Sequence, residues 1–365
     1  FFSAPLAAED IPRLQERGEA TQLIVNGSPY LILGGELGNS TASDRDTLAQ
    51  YWPKLREMGL NTVLAPVYWE LVEPADGSFD FSSVDWLIED ARAHDMRLIL
   101  LWFGTWKNSM SSYVPAWVKR DTARFPRTLG ADGRSQEIIS AYSTEARDAD
   151  AKAFAALMRH LRQVDGQDRT VIMVQVENEI GFLPRAGERQ ASGDIAADER
   201  EMARAYASYA DAVASAGKAQ YALPMFVNGA QGRPGVAPGE DPSGGPLAHL
   251  AEIWRTHAPS IDFIAPDIYF PNFGMIVDGY FDAGTRPIFL PEANRPSDAA
   301  LAANAMRSIG ARDAIGFSPF AIEDASEKQA TRIGDLYAML ESIAPLVLKA
   351  QQDGRIAGFA APVDF

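Results

Sequence analysis

The sequence predicts an α/β fold closed into a (β/α)8 TIM barrel. Three observations lead there. Strand-like apolar runs alternate with amphipathic helical stretches, the pattern of parallel strands joined by helical crossovers. There are eight such units over about 310 residues, roughly 38 per unit and somewhat above the compact minimum for this barrel. The fourth and seventh runs empty into glutamates, at the strand ends where a barrel carries its active site. A doubly wound open sheet is the alternative, but it normally has fewer units.

Taken in order, a short hairpin over 23–25 turns at Asn26-Gly27. The first strand covers 30–33 and ends in Gly34-Gly35. A helix over 47–58 follows and stops at Gly59. Strand two is 61–67, helix 84–94, strand three 97–103. A helix at 149–163 leads to strand four, 170–176. A long helix at 198–216 precedes strand five, 222–227. The stretch 229–245 is rich in Gly and Pro and reads as a loop. Helix 247–254 and strand six, 261–265, come next. Strand seven is 287–290, then helix 298–308, strand eight at 314–317 and a final helix over 328–344. The expected organisation is an N-terminal arm over residues 1–20, the barrel over 21–345, and the start of a C-terminal extension over 346–365.

Composition narrows the function. The 365 residues include 49 acidic and 33 basic ones, a net charge of -16. So acidic a chain is a poor partner for nucleic acid or anionic membranes. There is no cysteine, which excludes disulfides and thiolate chemistry. The four histidines, His94, His160, His249 and His257, do not pair at metal-ligand spacing, so no metal is expected. No phosphate-binding glycine motif is present, and no cofactor is implied. No apolar run reaches the roughly 18 residues of a membrane span. The opening FFSAPLAAED reads as the tail of a secretory signal or as a frayed arm; the first reading implies a periplasmic or secreted protein. Self-association into a homo-oligomer is left open.

The chemistry lies in the two glutamate-bearing strand ends, Val174-Gln175-Val176-Glu177-Asn178-Glu179 and Phe289-Leu290-Pro291-Glu292. Glycoside cleavage needs two carboxyl groups flanking the bond, one to protonate the leaving oxygen and one to attack or to activate water. Strands four and seven sit three apart on one rim, so their carboxylates can face each other across the mouth. Strand alternation puts Glu177 and Glu179 on the same side and does not choose between them. Trp106, between Thr105 and Lys107, is a candidate sugar platform. Glu36 and Glu323 lie past strands one and eight, where each can bind a hydroxyl or neutralise Arg295 or Lys107.

The strand-four segment through Ile180-Gly181 resembles the acid/base motif of glycoside hydrolase family 35, the barrel β-galactosidases. The block from Asn61-Thr62 through Trp69-Glu70-Leu71-Val72-Glu73-Pro74 to Phe79-Asp80-Phe81 is similar to that family's second-strand signature, and Pro115-Ala116-Trp117 to a segment after strand three. The resemblance implies Glu179 as acid/base and Glu292 as nucleophile of a retaining, exo-acting β-galactosidase. It implies Asn178 as partner of the sugar 2-hydroxyl and Tyr269 as a group orienting the nucleophile. Departures mark a divergent bacterial branch. Glu36-Leu37-Gly38-Asn39 stands where a Ser-Ile-His-Tyr segment is usual, Ile180 replaces a tyrosine, and Gly104-Thr105-Trp106 replaces Ala-Glu-Trp. Lys107 and Asn108 can substitute as donors for the missing glutamate. The expected partner is a small carbohydrate. Glucoside, mannoside and arabinoside are alternative sugars, and a non-catalytic carbohydrate-binding barrel is the alternative class.

Overall fold

The computed structural model describes residues 11–130, 133–181, 192–232, 234–237 and 243–359. The opening ten residues, on which the secretion reading rests, lie outside them.

Eight parallel strands form the barrel: β1 (Ile32–Glu36), β2 (Thr62–Tyr68), β3 (Arg97–Phe103), β4 (Val171–Val176), β5 (Met225–Ala230), β6 (Phe263–Ile268), β7 (Glu292–Ala293) and β8 (Gly316–Phe317). They neighbour one another in chain order, and β8 returns to pair with β1. Closure between β7 and β8 is made by a parallel bridge from Leu290 to Phe317 and by Ser318 N–H donating to the Leu290 carbonyl at 2.9 Å. The seventh apolar run, expected over 287–290, meets β8 through backbone hydrogen bonds at Ile288 and Leu290, and the ladder to β6 starts at Glu292. Pro287 and Pro291 have no N–H to give to a ladder.

The pleat sorts each strand between two cores. In β3, Leu98, Leu100 and Trp102 face the helices, while Ile99, Leu101 and Phe103 fill the barrel with Phe226, Phe263 and Phe289. The N-terminal mouth is plugged by an antiparallel sheet of Arg13–Arg17, Ala20–Val25 and Ser28–Tyr30. Its turn has Asn26 at φ 52° and Gly27 at φ 76°, as a two-residue hairpin of this hand requires. Leu23 and Val25 from this plug, with Leu14 beside them, pack on the barrel interior. Half of the segment expected as a free arm is thus built into the fold.

Other boundaries moved for local reasons. The helix expected over 47–58 is two pieces, Arg45–Ala49 and Trp52–Glu57, because Pro53 can open a helix but not continue one. A helix at Phe273–Asp282 and an antiparallel pair, Arg127–Leu129 with Ser135–Ile139, were not expected. The last helix, Glu327–Gln352, carries on through Pro345 and returns Leu348 to the core, so 346–352 belong to the barrel's outer layer.

Leu23 is fully buried in the plug. Leu23→Ala should lower unfolding stability by about 2–5 kcal/mol, from lost burial plus the cavity left behind. Urea titration of both proteins checks this; an unchanged midpoint would mean that the plug is not part of the cooperative core.

Candidate active site

The inward-facing ends of the strands build the C-terminal mouth. Glu36 ends β1, Asn228 lies in β5, Asp267 in β6 and Glu292 opens β7; all four are buried. β4 stops at Val176, and Glu177 and Glu179 both take left-handed backbone angles, φ 60° and 45°. Such angles are costly for residues with a Cβ and persist where the surroundings hold them. Here they separate the two glutamates that alternation placed together. Glu177 turns into the wall, accepts from Trp106 N–H at 2.7 Å, and meets Asp150 of the helix Thr144–Asp165. Glu179 turns into the mouth, its own N–H held by Asn228 Oδ1 at 3.0 Å.

In the mouth, Glu179, Asp267 and Glu292 each place one carboxylate oxygen within 4.8 Å of one from the others. Each is held from a different side. Tyr269 donates its hydroxyl to Glu292, and Asn108 donates its amide to Glu179. Asn228 donates to Asp267 at 2.6 Å. Lys107 donates to Asn178 Oδ1 at 2.9 Å, inside the same group of charges. Burial and then the Glu292 charge raise the Glu179 carboxyl to about 7, against the pull of Lys107 and the Asn108 hydrogen bond. Burial, then Glu292 and Glu179, push Asp267 well above the usual carboxylate range. Glu36 is also pushed well up, by burial first and Glu292 next. The three clustered carboxylates have the spacing of a cation site. Lys107 already supplies a positive charge there, and Glu179 and Asp267 are biased toward their neutral forms, which weakens them as cation ligands.

The structure brings Glu36, Lys107, Asn108, Asn178, Glu179, Tyr269 and Glu292 to this one mouth. It corrects other expectations. Trp106 is not a sugar platform. Its ring packs on Tyr206 and Tyr209, its indole N–H donates to the Ile139 carbonyl at 3.1 Å, and it is 1% exposed. Polar neighbours made it look exposed, but Thr105 and Lys107 are themselves buried. Glu323 ties a loop with one oxygen, Oε1 accepting from Gly38 N–H at 2.8 Å and from the Thr41 hydroxyl, while its buried Oε2 meets no partner among the described residues. Asn39 sits on that loop, its backbone carbonyl accepting from the Tyr68 hydroxyl at 2.8 Å and its side-chain Oδ1 buried without a partner among the described residues. Asp267 was missed because the sixth run was read as ending at Ala265. The inward series Phe263, Ala265, Asp267 is the signal that would have found it.

Several buried polar atoms in the mouth meet no donor or acceptor among the described residues: both oxygens of Glu36, Asn178 Nδ2, Asp267 Oδ1 and Glu292 Oε2. Buried polar groups are rarely left so, and their convergence marks a site shaped for a polar ligand.

A barrel whose mouth carries crowded, partly protonated carboxylates defines an enzyme-like polar site. The family follows from the sequence comparison: residues 22–225 match the model of glycosyl hydrolases family 35, and the chain belongs to that family. A Xanthomonas manihotis protein described as beta-galactosidase is 32% identical over 179 residues, which cover 45% of this chain and 26% of that protein's length. Among solved structures, a Bacillus circulans beta-galactosidase superposes with a TM-score of 0.65 at 15% identity, over 87% of this chain and 57% of that one. An endo-1,4-beta-mannanase from Rhizomucor miehei gives 0.61 at 16% identity, over 90% of this chain and 99% of that one. The structural likenesses show the barrel fold and do not choose a sugar.

The raised Glu179 carboxyl has a consequence for stability. Folding favours its protonated form, so its penalty is absent below the ordinary carboxylate range and grows as pH rises toward about 7. Glu179→Gln should therefore gain thermal stability over the native chain between pH 5 and pH 8. Melting temperatures across that range check it; a gap that stays constant would place the Glu179 carboxyl at its ordinary value.

Proposed function

We propose that the chain hydrolyses terminal β-linked sugars with retention, β-D-galactosides being its expected substrates. The observation that carries this reading is the carboxylate cluster, whose oxygens from Glu179 and Glu292 approach within 4.8 Å. Retaining glycosidases hold their two carboxyl groups about 5–5.5 Å apart, because one attacks the anomeric carbon directly. Galactose is favoured by the beta-galactosidase name of the 32% identical relative.

The chemistry assigned to each residue follows from its surroundings. Glu179, raised to about 7, is protonated over much of the neutral range and can donate to the glycosidic oxygen. Glu292, oriented by the Tyr269 hydroxyl, attacks the anomeric carbon and forms a glycosyl ester while the leaving group departs as an alcohol. Ester formation removes the Glu292 charge. That charge is the second cause of Glu179's raised affinity for its proton, so its loss makes the now ionised Glu179 a carboxylate able to take a proton from water. Water then cleaves the ester, and the proton returns to Glu179. Asn178 Nδ2, without a partner in the described residues, is available to the sugar 2-hydroxyl.

Aryl β-glycosides of galactose, glucose, mannose and arabinose test the reading. Glu179→Gln should cost about 10²–10⁴-fold in kcat/KM where the leaving group needs a proton, and far less with a dinitrophenolate leaving group. Glu292→Gln should lose activity on both. Equal losses for Glu179→Gln on the two leaving groups would remove it as the acid. Preference for another sugar would keep the mechanism and replace galactose.

The pH profile is a separate check. kcat/KM should fall above about pH 7 as Glu179 loses its proton. Lys107 holds the Glu179 carboxyl down, so Lys107→Met should move that basic limb to higher pH. A shift to lower pH would contradict the charge arrangement described here.

A further inference from the structure

We propose that Asp150, on a helix outside the barrel, is a positioning residue for Glu179. It holds the chain that follows β3 against the end of β4, and so sets where Lys107 and Asn108 meet the acid/base group. The inference rests on the glycosidase reading above and adds to it a residue set behind the mouth.

Asp150 lies on the face of the helix Thr144–Asp165 that also buries Ala146, Ala153, Phe154 and Leu157, and it is 0% exposed. A carboxyl in such a place is costly unless its oxygens are engaged. Both are. Oδ1 accepts from the Trp102 indole at 2.8 Å, and Oδ2 accepts from Thr105 N–H at 3.0 Å and from its hydroxyl at 2.7 Å. The Thr105 hydroxyl is also 2.7 Å from that of Tyr209, on the helix Ile195–Lys218. Glu177 meets Asp150 and accepts from Trp106 N–H at 2.7 Å. The Trp106 carbonyl in turn accepts from Asn178 N–H at 3.2 Å. Residues 102–106 are therefore anchored to the outer helices and to the end of β4. Just past this anchor, Asn108 and Ser109 take left-handed backbone angles, φ 50° and 62°. Such angles persist where the surroundings hold them. They deliver Asn108 to the Glu179 carboxyl and the Ser109 hydroxyl to the Glu179 carbonyl at 2.9 Å, beside Lys107 on Asn178.

Positioning and direct charge act on Glu179 with opposite signs, which makes the role testable. Lys107 and the Asn108 hydrogen bond hold the Glu179 carboxyl down, against burial and Glu292. Releasing the anchor lets both drift, and the carboxyl rises. Taking away the charge of Asp150 does the reverse, because a nearby carboxyl then ionises more easily. The titratable groups facing Asp150 are Glu177 and Tyr209, with Arg147 acting on Tyr209. Those facing Glu179 are Glu292, Lys107, Asp267 and Glu36. Of these, Glu177 can imitate a positioning effect, since it ionises more easily once the Asp150 charge is gone.

Melting temperatures between about pH 5 and pH 9 locate the Glu179 carboxyl without any substrate. The stability gap between a chain and its Glu179→Gln counterpart grows with pH up to that carboxyl's pKa and then levels. In the native chain it should level at about pH 7. With Asp150→Asn or Asp150→Ala in both members of the comparison, it should level about 1 pH unit higher. The first variant keeps the side-chain volume and the second suits an alanine-rich helix face, so whichever folds decides, and where both fold they should agree in sign. The shift should persist in a Glu177→Gln background, where that residue carries no charge. On an aryl β-glycoside, the basic limb of kcat/KM should move up together with the melting result. A gap that levels at the same pH or lower once Asp150 is changed would overturn the proposal, and so would a shift that disappears with Glu177→Gln. A native chain that cleaves no glycoside defeats the functional reading alone, and the melting comparison still decides for Asp150.

Discussion

The mouth of this barrel depends on keeping four carboxyl groups, Glu36, Glu179, Asp267 and Glu292, together out of water with Lys107 among them. Like charges in a desolvated space cannot all ionise, so some of the group must hold protons. The raised carboxyls of Glu36, Glu179 and Asp267 share this origin: burial comes first in each, and the charge of Glu292 comes next. The crowding that would threaten an ordinary fold is what biases Glu36, Glu179 and Asp267 toward holding their protons. The surrounding frame resists the resulting repulsion with a packed barrel interior below it and hydrogen bonds from Asn108, Asn228 and Tyr269 around it.

Much of this frame could be read in the sequence because a barrel repeats one simple pattern. Apolar runs marked out the barrel, and the residues just past the fourth and seventh runs were Glu179 and Glu292. What resisted reading was whatever depends on single backbone angles or on what a neighbour already binds. Alternation treats Glu177 and Glu179 alike, and only the left-handed turns at both positions send one to the wall and the other to the mouth. Trp106 lies between polar residues, yet those residues satisfy their polar atoms inside the protein, so local polarity did not mean exposure. Glu36 and Glu323 have the same chemistry and the same rim, and differ in whether Gly38 and Thr41 reach them. Asp267 was hidden by an end set too early on the sixth strand.

Behind the mouth lies a second buried acid pair, and it explains how the first is kept in register. Asp150 accepts from the Trp102 indole at 2.8 Å and from Thr105 N–H at 3.0 Å, while Glu177 accepts from Trp106 N–H. Burial raises both carboxyls, and in Glu177 the Asp150 charge adds to it, so the two favour sharing a proton. Gly104 makes room for the arrangement, since a Cβ there would lie 2.8 Å from Glu177 Oε1. Together these contacts pin the segment 104–106 to the end of β4 and to the helix outside it. The next two residues of that segment are Lys107 and Asn108, which hold Asn178 and Glu179. A buried wall of acids therefore sets where the cation and the amide stand. Those two groups in turn limit how far crowding can raise the proton affinity of Glu179. The position of one acid pair thus tunes the other through five consecutive residues of backbone.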